Sequence, residues 1–327
     1  MKRSACLYGP NNGVGLLADI SLVQDLLFDH YTVDISYTQN SLHTLNNISN
    51  HIPITYDVGV FFQEYDVERL NLNKKNILIV NEEWLRSEKI EVLQKFDKII
   101  TKSTLGKELL RPYNNHVVNC GFISKDRYDS NIIKQEQFLH VMGKSSQKGT
   151  EHVLTVFANE CKEFPVTVIE SRNDCTIDAD LKQCFNFNYI KDFITEEDIN
   201  IEYNKHLIHL CPSYYEAWGH YVYEGLSTGA LLYVTKIPMF LEWLDPDLVV
   251  FLDCEFDRCD NTVEYFKYRD NMFPYQFGWK PNQVDFNFKI KNYKQYLENH
   301  KPHLVRKYFK HLNQQNSKKL LNELTDI

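Results

Sequence analysis

Short apolar runs recur along the chain, four or five residues each, and most are followed by a glycine or a polar cluster. Runs of that length are buried strands, and the longer 3.6-periodic stretches between them are amphipathic helices. The pattern predicts strands at 4–8, 31–36, 58–62, 77–80, 98–101 and 116–120, with helices at 16–28, 87–95 and 103–110. A second series follows, with strands at 138–142, 166–170, 187–189, 207–210, 231–234 and 248–251 and helices at 150–161, 196–206 and 220–227. Strands alternating with helices specify parallel sheets in an α/β protein. The polar stretch Lys125–Asn131 separates the two series as a linker, giving domains at 1–130 and 131–300. Residues 293–324 are helical with a break near Pro302, and the part from 301 to 327 forms a terminal helix.

The stretch from Cys211 to Ala230 carries the most chemistry. Pro212 and Ser213 stop a buried strand, Gly219 allows a tight turn, and a helix starts at about His220. Glu216 lies on the loop and Glu224 about one turn into the helix. The helix N-terminus between them offers free N–H groups and a positive dipole end. A carboxylate, an anion hole and a second carboxylate suit a nucleotide sugar. One acid takes sugar hydroxyls, the amides take the diphosphate, and the other acid takes ribose hydroxyls. The alternative is an amphipathic helix with two solvated acids.

Three further stretches stand at strand ends. Gly143 to Gly149 places Lys144 and Lys148 between glycines where a strand feeds a helix, and cations there neutralise a diphosphate. It is not a Walker loop, because the lysine precedes Gly149 rather than Ser or Thr; the alternative is a solvated basic turn. Gly9 to Gly15 opens the chain like a nucleotide fold, with Gly13 and Gly15 allowing close backbone approach. Ala18 stands at the third glycine position, so dinucleotide binding is the weaker reading. Glu82, Glu83 and Trp84 follow the fourth strand, where ligands of open α/β sheets bind; the alternative is surface acids.

Pro212-Ser213, Glu216, Trp218-Gly219 and Glu224, with Gly225 to Gly229 and Val234 to Pro238, resemble the signature of the retaining GT-B glycosyltransferases. The likeness is to their family-4-like group, with its group 1 glycosyltransferase C-terminal domain. Lys148-Gly149 matches that family's Lys-Gly, while Gly143-Lys144 stands where it carries Gly-Arg, losing the bidentate fork. The resemblance implies a GT-B fold: two Rossmann-like domains facing across a cleft, with the last helix crossing back to the first. The first domain would take the acceptor and the second the donor. The donor residues it implies are Gly13, Gly15, Lys144, Lys148, Glu216, Trp218, Gly219, His220, Tyr221 and Glu224, with Glu216 catalytic. Glu82, Glu83 and Trp84 would orient a glycan or other hydroxyl acceptor. The resemblance also implies transfer of a sugar from a UDP- or GDP-sugar with retention of configuration, without metal or other cofactor. A histidine near the sugar is common in the family; His30, His43 and His51 are candidates by position only. Asp178-Ala-Asp180 and Asp245-Pro-Asp247 look like the metal motif of the other glycosyltransferase fold but lie in polar turns. The rivals are a GT-B-like epimerase and a non-catalytic nucleotide-sugar binding protein.

Composition narrows this further. With 327 residues the chain holds two domains, and a net charge of −8 opposes general nucleic-acid binding. Eight scattered cysteines without a Cys-x-x-Cys pair, and no signal-like start, fit reduced thiols in the cytoplasm. No apolar run is long enough to span a membrane. Residues 289–319 contain nine Lys or Arg among aromatics, a solvated helix face or a contact with a membrane surface or polyanion. The oligomeric state is not legible.

Overall fold

The computed structural model describes residues 2–11, 15–37, 55–143, 145–170, 186–191, 195–258 and 277–326. They form two compact units, one from the first 123 residues with the chain's end from Asn313, the other from Ser124 to Leu312. The first unit holds β1 (Arg3–Gly9), β2 (Tyr31–Tyr37), β3 (Tyr56–Phe62), β4 (Asn73–Ile79), β5 (Lys98–Thr101) and β6 (Val117–Asn119). They form one sheet in the order β2-β1-β3-β4-β5-β6, with every pair parallel. The second unit holds β7 (Gln135–Gly143), β8 (Val166–Glu170), β9 (Phe187–Lys191), β10 (His206–Cys211), β11 (Leu231–Thr235) and β12 (Val250–Leu252). Its order is β12-β11-β10-β7-β8-β9, again parallel throughout. This is the doubly wound arrangement whose order reverses between the first and fourth strands, here β7 and β10. In such sheets ligands bind beyond the carboxyl ends of the strands at that reversal.

The strand interiors are apolar because helices cover both faces, as a parallel sheet requires. Val60, Phe61, Leu78 and Ile99 are buried in the first unit, and Val168, Ile208, Leu210 and Tyr233 in the second. The predicted helix at 87–95 is instead a run of 3-10 turns, Ser87–Lys95. Its β-branched Ile90 and Val92 disfavour an α-helix, and Leu93 is its one buried side chain. A hairpin not anticipated from the sequence pairs β13 (Cys254–Arg258) with β14 (Phe277–Pro281).

Two features of this division bear on the site. The stretch 125–131 is part of the second unit. The Arg127 N–H donates to the Ser227 hydroxyl at 2.9 Å, and its guanidinium donates to Glu224. The division therefore falls between Ile123 and Ser124. The terminal helix, Pro302–Thr325, belongs to the second unit as far as Leu312 and to the first from Asn313. Its buried residues, Val305, Phe309, Leu312, Asn316, Leu320 and Leu324, recur every three or four positions as one stripe. Within the first unit, Asn316 donates to the Phe122 carbonyl at 2.9 Å and Lys98 pairs with Glu323 at 2.7 Å. Among the described residues no helix is long and apolar enough to cross a membrane.

Candidate functional site

Two loops meet where the second sheet reverses. One follows β7 and the other follows β10, a placement dictated by strand order and not by proximity in sequence. Gly149 ends the first loop with φ 65°, and a Cβ there would lie 2.1 Å from the Pro212 carbonyl oxygen. Only glycine fits, because the two backbones touch. The Tyr214 N–H donates to the Gln147 carbonyl at 2.9 Å and fastens the loops together. Beneath them the fully buried His140 bridges the Leu210 carbonyl at 2.9 Å and the Thr150 hydroxyl at 2.8 Å. Burial lowers its pKa to about 4, so the ring is neutral and serves as a brace.

The clamp brings Lys148 to Glu216, Nζ to Oε1 at 2.6 Å. Ser213 donates to the same oxygen at 2.8 Å and lies 2.5 Å from the Tyr221 hydroxyl. The Lys148 ammonium also sits over the Tyr221 ring, 3.7 Å from its centre. Both charged side chains keep an accessible edge, 14 % for Lys148 and 7 % for Glu216. Gly219 turns the chain with φ 82° into the helix His220–Thr228, and a Cβ there would press on the Phe240 ring at 2.9 Å. The helix N-terminus follows directly, with no side-chain cap on its N–H groups.

Trp218 lies inside the unit, stacked on Tyr223 with ring centres 3.9 Å apart, and its indole N–H donates to the Ser124 hydroxyl at 2.9 Å. Its ring packs inside the loop, and the buried indole N–H is satisfied there. His220 Nδ1 lies 3.0 Å from the same hydroxyl. Glu224 is joined to Arg127 at 2.9 Å, and Arg127 reaches Glu196 at 3.1 Å. Lys144 and Gly13 lie outside the described residues, as do His43, His51 and the Asp178–Asp180 pair. Asp245 accepts the Asp247 N–H at 2.9 Å, the turn expected for that pair.

The remaining candidates belong to the first unit. Gly15 opens the helix Gly15–Leu27 after β1, with open space where a Cβ would be. Glu82, Glu83 and Trp84 form a single 3-10 turn after β4. Glu82 is fully buried and Glu83 nearly so, which overturns the surface-acid alternative. Glu82 accepts from the Ser103 hydroxyl at 3.2 Å, and Gly106 makes room for it, since a Cβ there would fall 2.8 Å from the carboxyl. Burial first, and Glu83 second, raise the Glu82 pKa to about 8. Nearby, Lys102 and Asp19 form a sealed ion pair at 2.7 Å.

Sequence reasoning missed Ser124, Arg127 and His140, which position the site from other segments. It also missed Gln63, a buried non-glycine at φ 61° just after β3, whose side-chain oxygen accepts the Asn81 N–H at 2.8 Å. A left-handed glutamine there costs roughly 1–3 kcal/mol. It sits beside the reversal of the first sheet, between β1 and β3. No local pattern announces such a residue.

No protein-family model matches the chain, and no curated protein matches it in sequence. Solved structures do match over nearly the whole chain. A glycosyltransferase from Rickettsia africae is 12% identical with a TM-score of 0.69, covering 99% of both chains. HepE from Anabaena, solved in complex with UDP, is 11% identical with a TM-score of 0.63, covering 99% of this chain and 100% of its own. WaaG, a glycosyltransferase involved in lipopolysaccharide biosynthesis, is 11% identical with a TM-score of 0.58, covering 98% of this chain and 99% of its own. The fold is GT-B, two Rossmann-like units with parallel six-stranded sheets.

Proposed function

We propose that the chain is a glycosyltransferase that moves a sugar from a nucleoside-diphosphate sugar to an acceptor hydroxyl, with retention of configuration. One observation carries this reading: the loops at the reversal of the second sheet join Lys148, Glu216 and an uncapped helix N-terminus. A cation and a helix N-terminus suit a diphosphate, and a carboxylate beside them suits sugar hydroxyls. The fold shared with UDP-bound HepE supports the choice of ligand.

Lys148 and the N–H groups at His220 and Tyr221 hold the diphosphate and stabilise the charge that grows as it leaves. The Lys148–Glu216 pair keeps both charges neutralised, and Tyr221 and Ser213 hold the pair in place. Glu216 meets the transferred sugar and supports its developing positive charge. Glu224, oriented by Arg127, meets the ribose. The first unit takes the acceptor, the reaction needs no metal, and the protein works in the cytoplasm.

The test is incubation of the full chain with UDP- and GDP-sugars and a set of hydroxyl acceptors. Release of nucleoside diphosphate that depends on acceptor, with a product of unchanged anomeric configuration, is expected, and it should survive excess EDTA. Conversion of donor without acceptor would make the chain an epimerase. Donor binding without any release would make it a binding protein.

A further inference from the structure

The second unit contains another charged site, at the opposite end of the helix His220–Thr228 from the Glu216 loop. Nine helical residues separate the two by roughly 13 Å at 1.5 Å per residue. A cavity of about 620 Å³ opens there, beside Thr228 and the start of the terminal helix. Lys134, Arg306, Lys307 and Lys310 line it, with His303, and Asp129 is the one acid among the described residues around it.

Residues 303, 306, 307 and 310 follow the spacing that places side chains on one helix face. The other face of the same segment carries the buried Val305, Phe309 and Leu312. One face therefore serves the core and the next is given to cations. Like charges at that spacing repel. The fold accepts this cost and holds Arg306 in place: it donates to the Ser227 carbonyl, pairs with Asp126 at 3.3 Å and lies 3.5 Å from the centre of the Tyr128 ring. Lys134 reaches only a carbonyl, that of Asn204 at 3.1 Å. Burial, and then the charge of Arg306, lower its pKa to about 8. Among the described residues Lys134, Lys307 and Lys310 have no ion-pair partner.

We propose that this pocket binds a phosphate monoester, its dianion held among Lys134, Arg306, Lys307 and Lys310. Several unpaired cations converging on one cavity match a dianion better than a single carboxylate, and Arg and Lys are the usual phosphate donors. The volume is that of a small-molecule site, so the phosphate carries an organic group. The same chemistry exists as a free phosphorylated metabolite and as a lipid headgroup.

The experiment uses the full chain and two double variants. K307A/K310A removes two exposed lysines of the pocket. K318A/K319A removes the same charge from the same helix beyond it. Binding of sn-glycerol 3-phosphate is measured by calorimetry, and binding to phosphatidylcholine vesicles containing phosphatidic acid by cosedimentation. At least one probe should bind the wild type and the control double variant equally, and K307A/K310A about tenfold more weakly, a change of about 1.4 kcal/mol. A response to the soluble probe identifies a free metabolite; a response to the vesicles alone identifies a lipid. Equal affinity in all three proteins, or no binding of either probe to the wild type, overturns the proposal.

Discussion

The two units build the same kind of sheet and use buried charge in opposite ways. In the first unit, Lys102 and Asp19 are paired at 2.7 Å with 1 % and 2 % of their side chains exposed. In the second, Lys148 and Glu216 are paired at 2.6 Å at the meeting of two loops, with an edge open to a ligand. The sealed pair has nothing to exchange and serves the fold. The edge-exposed pair can trade its partner for a diphosphate and a sugar, so it serves binding and chemistry. Accessibility at a strand reversal, rather than ion pairing itself, separates the two. Mutating each kind of pair tests the distinction.

The largest effect is expected in the sealed region. Breaking a buried pair by removing one partner leaves an uncompensated charge and costs about 3–5 kcal/mol. Lys102→Ala should lower unfolding free energy in denaturant by that amount while nucleoside-diphosphate affinity per folded molecule stays unchanged. A fully stable Lys102→Ala protein would show that the pair is not structural.

A change of similar order is tied to pH. Glu82 holds its proton to about pH 8 in the folded chain, whereas the unfolded carboxyl loses it near 4.5. The folded state therefore binds more protons across that window, and stability falls as pH rises through it. The loss is on the order of 5 kcal/mol, at about 1.4 kcal/mol per pH unit, and is complete above pH 8. Below 4.5 both states are protonated and nothing is lost. Glu82→Gln should flatten this decline, read from unfolding curves at pH 5, 6.5 and 8. Parallel wild-type and mutant profiles would mean that Glu82 is ionised in the folded protein.

At the open pair the signature is kinetic. Charge at the sugar grows in the transition state while ribose contacts stay nearly constant, and only the former kind sets turnover. Glu216→Gln should lower kcat about a hundredfold, at the low end for loss of one charge-stabilising contact, with nucleoside-diphosphate affinity nearly kept. Lys148→Ala should weaken nucleoside-diphosphate binding by about 1.5–3 kcal/mol in calorimetry. The smallest effect belongs to Glu224→Gln, a loss of about 1–3 kcal/mol in that affinity with modest change in kcat. Reversed behaviour of the two glutamates would exchange their assignments. No effect from any of the three would remove this site from the reaction.

The alternating elements, the parallel sheets and the two loops with their charged residues were all legible in the sequence. Short-range patterns carry them: apolar runs between turn residues, a glycine where a helix must start, a proline where a strand must stop. Gly149 and Gly219 were legible for the same reason. What only the tertiary structure decided are pairings across many residues. Strand order placed the loop after β7 against the loop after β10, 68 residues apart at the Lys148–Glu216 contact. It drew Ser124 and Arg127 out of an apparent linker and onto Trp218 and Glu224. It also buried Glu82 and Glu83 inside the first unit, against the alternative that they are surface acids. Polarity along a chain reports what a residue prefers, whereas burial and partners depend on which distant segments the sheet brings together.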